Sequence, residues 1–151
     1  MSSESIGIKG FVTVDMYEND QLIQHVEVRN LLVRGGKDLF ANMIFGTFTG
    51  EDEEDVPFIR DISIGSGTTA PVVANTDMES QLARLPFVQK DIDQNLLTYF
   101  TTFSEGVGTG SVNEVGLFTN EGVLVCRTIL SNTFEKTANR FINISWRLQI
   151  G

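Results

Sequence analysis

Side chains able to do chemistry are scarce in this chain. Its 151 residues include one cysteine, Cys126, and one histidine, His25. A lone cysteine excludes an intrachain disulfide and any cysteine-cluster metal site, and a lone histidine excludes a His-pair metal motif. His25 lies between Gln24 and Val26, with no sequence neighbour to orient it or to be activated by it. It reads as a surface or hydrogen-bonded strand histidine. Cys126 follows Val123, Leu124 and Val125, a setting for a buried small hydrophobe rather than an activated thiolate. Gly65-Ser66-Gly67-Thr68-Thr69 has the glycines of a phosphate loop, but lacks the Gly-Lys-Ser/Thr ending and a strong following helix. The third glycine of a dinucleotide fingerprint is also missing, so a strand-ending turn is expected there.

Carboxylates are plentiful, with 20 Asp and Glu against 11 Lys and Arg, a formal net charge of −9. Five are adjacent: Glu51, Asp52, Glu53, Glu54 and Asp55. A Ca²⁺ loop interleaves its ligands with turn residues, and five consecutive acids cannot all face one ion. Like charges in a row favour a solvated, extended loop. A carboxylate pair for glycoside hydrolysis stays open on spacing alone, but abundance is not a motif. The acidic surface repels phosphate backbones and anionic membranes, so neither nucleic acid nor membrane is an expected partner. No apolar run approaches the roughly 20 residues of a bilayer helix, and Met1-Ser2-Ser3-Glu4-Ser5 does not read as a secretory leader. No catalytic residue, cofactor or metal is therefore expected.

The elements that must position these residues are mostly strands. Residues 6–16 carry Ile6, Ile8, Val12 and Val14 at even positions, and residues 22–30 follow a polar turn, so the two form a hairpin. Leu39, Phe40, Met43 and Ile44 make a helical stripe over about 36–46, bounded by Gly35-Gly36 and by Gly46 as C-cap. An acidic loop spans about 47–57. Residues 58–64 read as a central strand, and 77–82 as a short helical turn capped by Thr76. Residues 84–92 and 95–104 form a second hairpin, and 111–119 and 123–130 a third. The last segment, 141–150, alternates most cleanly, with Ile142, Ile144, Trp146, Leu148 and Ile150 on one side. About eight strands and one helix result. The expected fold is a mainly β protein of one domain, an antiparallel two-sheet β-sandwich with one short helix.

Aromatic usage bears on function. Phenylalanine occurs 11 times against two tyrosines and one tryptophan. Sugar-binding surfaces favour Trp and Tyr, and Trp146 faces the apolar side of its strand, which weighs against direct carbohydrate recognition. Asn143-Ile144-Ser145 fits a glycosylation sequon but lies within a strand. Apart from these, Phe45, Phe48 and Phe58 near the acidic loop are expected to form a subunit interface.

Several segments, taken in their order along the chain, resemble a known group. Asn30-Leu31-Leu32-Val33 with Gly36-Lys37 and Leu39, then Ile62-Ser63-Ile64-Gly65-Ser66-Gly67-Thr68-Thr69-Ala70-Pro71, resemble small virion proteins of tailed bacteriophages. Val112-Asn113-Glu114-Val115-Gly116-Leu117-Phe118 is similar to a motif of phage tail-fibre and tail-collar proteins. Glu79, Arg84, Arg127-Thr128, Lys136-Thr137 and Ile144-Ser145-Trp146 complete the resemblance over residues 30–150. Residues 51–55 look like an insertion. The resemblance implies a non-enzymatic virion part, assembled in the host cytoplasm, whose partners are copies of itself and other virion proteins. A tail subunit (fibre, collar or baseplate) is the first expectation, a capsid decoration or neck protein the second, and a receptor- or glycan-binding module the third. Glu114 is expected to set its carboxylate against backbone amides of a turn, a structural role.

Overall fold

In the computed structural model, which describes residues 7–48 and 56–151, ten strands and one helix form two antiparallel five-stranded sheets packed face to face. The elements are β1 (Ile8–Glu18), β2 (Gln21–Arg29), β3 (Leu31–Leu32), α1 (Arg34–Phe45), β4 (Ile59–Gly65) and β5 (Gln81–Pro86). Then follow β6 (Gln89–Asp93), β7 (Leu96–Phe103), β8 (Gly110–Thr119), β9 (Leu124–Lys136) and β10 (Arg140–Ile150). One sheet runs β2-β1-β10-β7-β6 and the other β3-β9-β8-β4-β5. The expected mainly β sandwich with one short helix is what the chain forms.

Alternation decides which side chains meet between the sheets. Val12, Val14 and Met16 of β1 and Ile142, Ile144, Trp146 and Leu148 of β10 are buried. They face Ile62, Ile64, Val115, Leu117, Val125 and Phe134 of the other sheet. β4 is buried along almost its whole length: on the face that a half-exposed strand would show to water, Ser63 bonds to Gln81 and to the Ala83 carbonyl, and Gly65 lies against Glu114 and Ser80. Trp146 is fully buried, and among the described residues its Nε1–H has no partner, an exception to the usual satisfaction of interior donors.

The helix begins two residues before the expected start. Gly35 and Gly36 stand in its first turn instead of breaking it. The reason is tertiary: a Cβ at Gly36 would collide with the Val125 carbonyl oxygen of β9, so glycine lets α1 approach the sheet. Gly46 closes the helix in the left-handed region at φ 83°, as a C-cap does, its N–H reaching the Asn42 and Met43 carbonyls.

Three further sequence expectations fail. The stretch 84–92 is not one strand. Pro86 cannot donate to a ladder, and the chain crosses between sheets beyond it. The Phe87 N–H bonds to the Arg60 carbonyl of one sheet, and the next N–H, of Val88, bonds to Phe100 of the other. Residues 77–82 are not helical, and Thr76 caps nothing there: Met78 inserts beside Val33, Phe118 and Leu124. The amides of Glu79 and Ser80 turn to a carboxylate instead of to helical carbonyls. Finally, β9 continues six residues past Leu130, because a register shift opposite Val112 and Glu114 lets the strand bend and resume pairing at Phe134. Residues 51–55 of the acidic loop lie outside the described residues.

Candidate functional site

A buried ion pair lies at the centre of the second sheet. β8 and β9 are neighbours, and their register puts Glu114 and Arg127 near each other on the side facing the long loop of residues 66–80. Both side chains are fully buried. Arg127 donates to Glu114 Oε2 through Nε at 3.0 Å and through Nη2 at 2.7 Å. Nη2 also donates to the Thr69 carbonyl at 3.0 Å, and Nη1 to Asn75 Oδ1 at 3.2 Å. Glu114 Oε1 accepts the Ser80 amide at 2.8 Å, and Oε2 accepts the Glu79 amide at 3.2 Å.

The surrounding residues extend this arrangement into the loop. Asn75 Oδ1 also accepts the Val72 amide at 2.9 Å, and the Val73 carbonyl receives the first helical amide, of Arg34, at 2.8 Å. Ser66 pairs with Ser80 through backbone and hydroxyl, and Asn113 Nδ2 donates to the Ser66 carbonyl at 3.1 Å. Glu79 accepts the Thr68 amide at 3.2 Å. A bond from the Thr69 side chain holds the Glu79 carboxyl below its ordinary pKa, with the backbone of Thr68 and Thr69 and the Arg127 charge adding to the effect. Gly65 and Gly67 are small because Glu114 lies over them: a Cβ at Gly67 would stand 2.7 Å from Glu114 Oε2.

What this site can do chemically follows from its occupancy. A general acid or base must reach the proton it moves. Glu114 has neither solvent exposure nor an oxygen without a donor, and Arg127 is spent on the same contacts. The shallow polar hollow beside it, about 340 Å³, is bordered by Thr69, Asn75, Asp77, Glu79 and Arg127, and Glu114 does not line it. The arrangement is a clamp that pins residues 66–80 onto the sandwich. Among the described residues no group of three or more His, Cys, Asp or Glu is placed to hold a metal ion. No described helix is long and apolar enough to cross a membrane.

The other residues singled out by sequence go to separate places. Cys126 is buried, and desolvation drives its thiol pKa far up, with a hydrogen bond from Asn30 opposing. His25 pairs through Nδ1 with Asp15 on the outer face of the first sheet. Glu79 and Arg84 are not partners: Arg84 stacks its guanidinium 3.5 Å over the Phe118 ring and reaches Asp77 at 3.4 Å. Lys136 is buried and donates to the Ser104 carbonyl at 2.8 Å; burial lowers its pKa, with the Glu105 charge opposing. Phe45 is 87% exposed at the helix end and Phe58 is exposed to a lesser degree, while Phe48 packs partly buried against the core. Sequence reasoning placed Glu114 against amides but missed Arg127 as its partner. The only available signal was a basic residue in an apolar strand, Val125-Cys126-Arg127, where a charge needs a counter-charge.

No family model matches this chain, and neither a curated protein nor a solved structure does.

Proposed function

We propose that this chain is a non-enzymatic structural protein of a tailed-bacteriophage virion, a tail-associated subunit of a fibre, collar or baseplate that assembles with copies of itself. One observation carries the reading. The segments that resemble phage virion proteins are scattered over more than half the chain, yet seven of their residues converge on one clamp. Gly65, Gly67 and Thr69 of residues 62–71, Asn113 and Glu114 of residues 112–118, and the separate Glu79 and Arg127 all belong to it. Residues that share one structural task are better evidence for a common building plan than short glycine-rich matches taken singly.

The surface adds support. Ile44 and Phe45 at the end of α1 are 88% and 87% exposed, and Met43, Phe58 and Val123 are also open. Beside them a groove of about 170 Å³ runs between α1 and the β8–β9 turn, lined by Leu39, Phe48, Pro57 and Val123 among others. Large apolar side chains open to water in this number mark a contact surface, and virion parts work through repeated symmetric contacts. The test is fractionation. Purified particles are separated into heads and tails and this chain is quantified in each by mass spectrometry. Enrichment in tails supports the proposal, enrichment in heads transfers the chain to capsid decoration or neck, and absence from particles removes the virion reading.

A further inference from the structure

At its start β1 outruns β2. The two strands pair from Glu18 back to Phe11, which stands opposite Arg29, and the Asn30 amide adds one bond to the Gly10 carbonyl at 3.1 Å. The chain then leaves the first sheet, and Leu31 and Leu32 pair with β9. Among the described residues Ile8 and Lys9 therefore have β10 as their only neighbouring strand. Backbone groups in an antiparallel ladder turn to alternate sides from one residue to the next. The Gly7 carbonyl accepts the Gly151 amide on the β10 side and the Gly10 carbonyl faces β2, so the N–H and C=O of Ile8 point to the open edge. Cations border that edge on the outer face of the sheet. Arg29 and Arg147 flank Phe11 from the two neighbouring strands, their guanidinium carbons 5.7 Å and 6.0 Å from the ring centre. Lys9 lies two residues from Phe11 and so shares its face. Arg147 is engaged by Glu27 at 3.0 Å, whereas among the described residues neither Lys9 nor Arg29 has an acidic partner. A groove of about 180 Å³ follows the edge, lined by Ile8, Lys9, Gly10, Phe11, Arg29 and Asn30.

We infer that this edge takes up a short, extended, acidic segment of another protein, added beside β1 as an extra strand. Ile8 offers such a segment one donor and one acceptor, the backbone contacts by which a peptide joins a sheet edge. A residue placed opposite Lys9 stands on the same face as Lys9. A Glu or Asp there meets the ammonium, with Arg29 beside it at the end of β2. Phe11 steadies the Arg29 guanidinium, whose forked donors suit a carboxylate. The remaining surface decides how long the partner can be. The chain carries a formal net charge of −9. At physiological salt, exposed charges act over about 8 Å. A short acidic segment thus feels the local cations, while a long polyanion such as a nucleic acid would run on over acidic surface. The inference does not depend on the virion assignment.

Amide NMR titration of the full chain with a capped pentapeptide of alternating Thr and Glu tests it. Saturable shifts are expected at residues 7–11, 29 and 30, together with slower hydrogen exchange of the Ile8 amide. Lys9→Gln and Arg29→Gln, both at exposed positions, should each weaken binding about threefold, the size of an exposed charge contact. The same peptide with Gln in place of Glu should bind more weakly than either variant binds the acidic one. Absence of saturable shifts at millimolar peptide would overturn the inference. So would equal affinity for the Glu and Gln peptides, affinity unchanged in both variants, or Ile8 exchange that the peptide does not slow. A thymidine oligonucleotide that binds as tightly as the peptide would overturn it too, as would shifts that follow protein concentration without peptide, which would mark a second copy on this edge.

Discussion

Glu114 and Arg127 are the residues whose chemistry the fold consumes. A buried ion pair is weak evidence for net stability, yet breaking one by removing a single partner is costly because the other charge remains buried. Glu114→Ala and Arg127→Ala should each destabilise the protein by about 3–5 kcal/mol. The apolar double replacement Glu114→Leu with Arg127→Met should lose clearly less than the sum of the two single changes. Urea denaturation of the set measures this, and additive losses would mean the two side chains are not coupled. Glu79 gives a pH signature. Its folded pKa lies below the reference value of 4.5, so the unfolded chain binds the extra proton first as pH falls. Its contribution is therefore complete above about pH 4.5 and disappears as pH drops through the folded value. Melting temperatures of wild type and Glu79→Gln should differ at neutral pH and converge in acid; a constant gap would sever Glu79 from this effect.

At the scale of elements, glycine placement and sheet crossing explain what the sequence could and could not reveal. Alternation along residues 141–150 named Ile142, Ile144, Trp146 and Leu148 of β10 as inward correctly, since a period of two needs no knowledge of partners, whereas Ile150 at the strand end is exposed. The helix was legible from Leu39, Phe40, Met43 and Ile44, but its start was not. Gly35 and Gly36 look like breakers until β9 is known to press against them. Replacing Gly36 by Ala would improve local helix propensity yet should destabilise by about 1–3 kcal/mol through overpacking on Val125. A gain in melting temperature would refute that packing argument. The exchange at Phe87 and Val88 was hidden because the β-rich composition of 84–92 is the same whether one sheet or two receive it. Only Pro86 hinted at the break. Likewise Glu114 could be read as an amide acceptor from its local motif, whereas the donors at Glu79 and Ser80 and the guanidinium of Arg127 arrive through tertiary pairing that short-range spacing does not encode.

For the molecule as a whole, chemistry is turned inward and contact is turned outward. The clamp seals its carboxylate and guanidinium beneath residues 66–80, while the helix end leaves Met43, Ile44 and Phe45 in water. A chain with formal net charge −9 has no electrostatic reason to self-associate, so apolar contact must supply the attraction if copies assemble. Ile44→Asp with Phe45→Asp changes only exposed positions and should leave the fold intact. Multi-angle light scattering of the purified chain over a wide concentration range is the most direct test. The account predicts a defined multiple of 16.7 kDa for the wild type, falling to 16.7 kDa in that double variant. A wild-type chain that stays at 16.7 kDa at the highest concentration would contradict it.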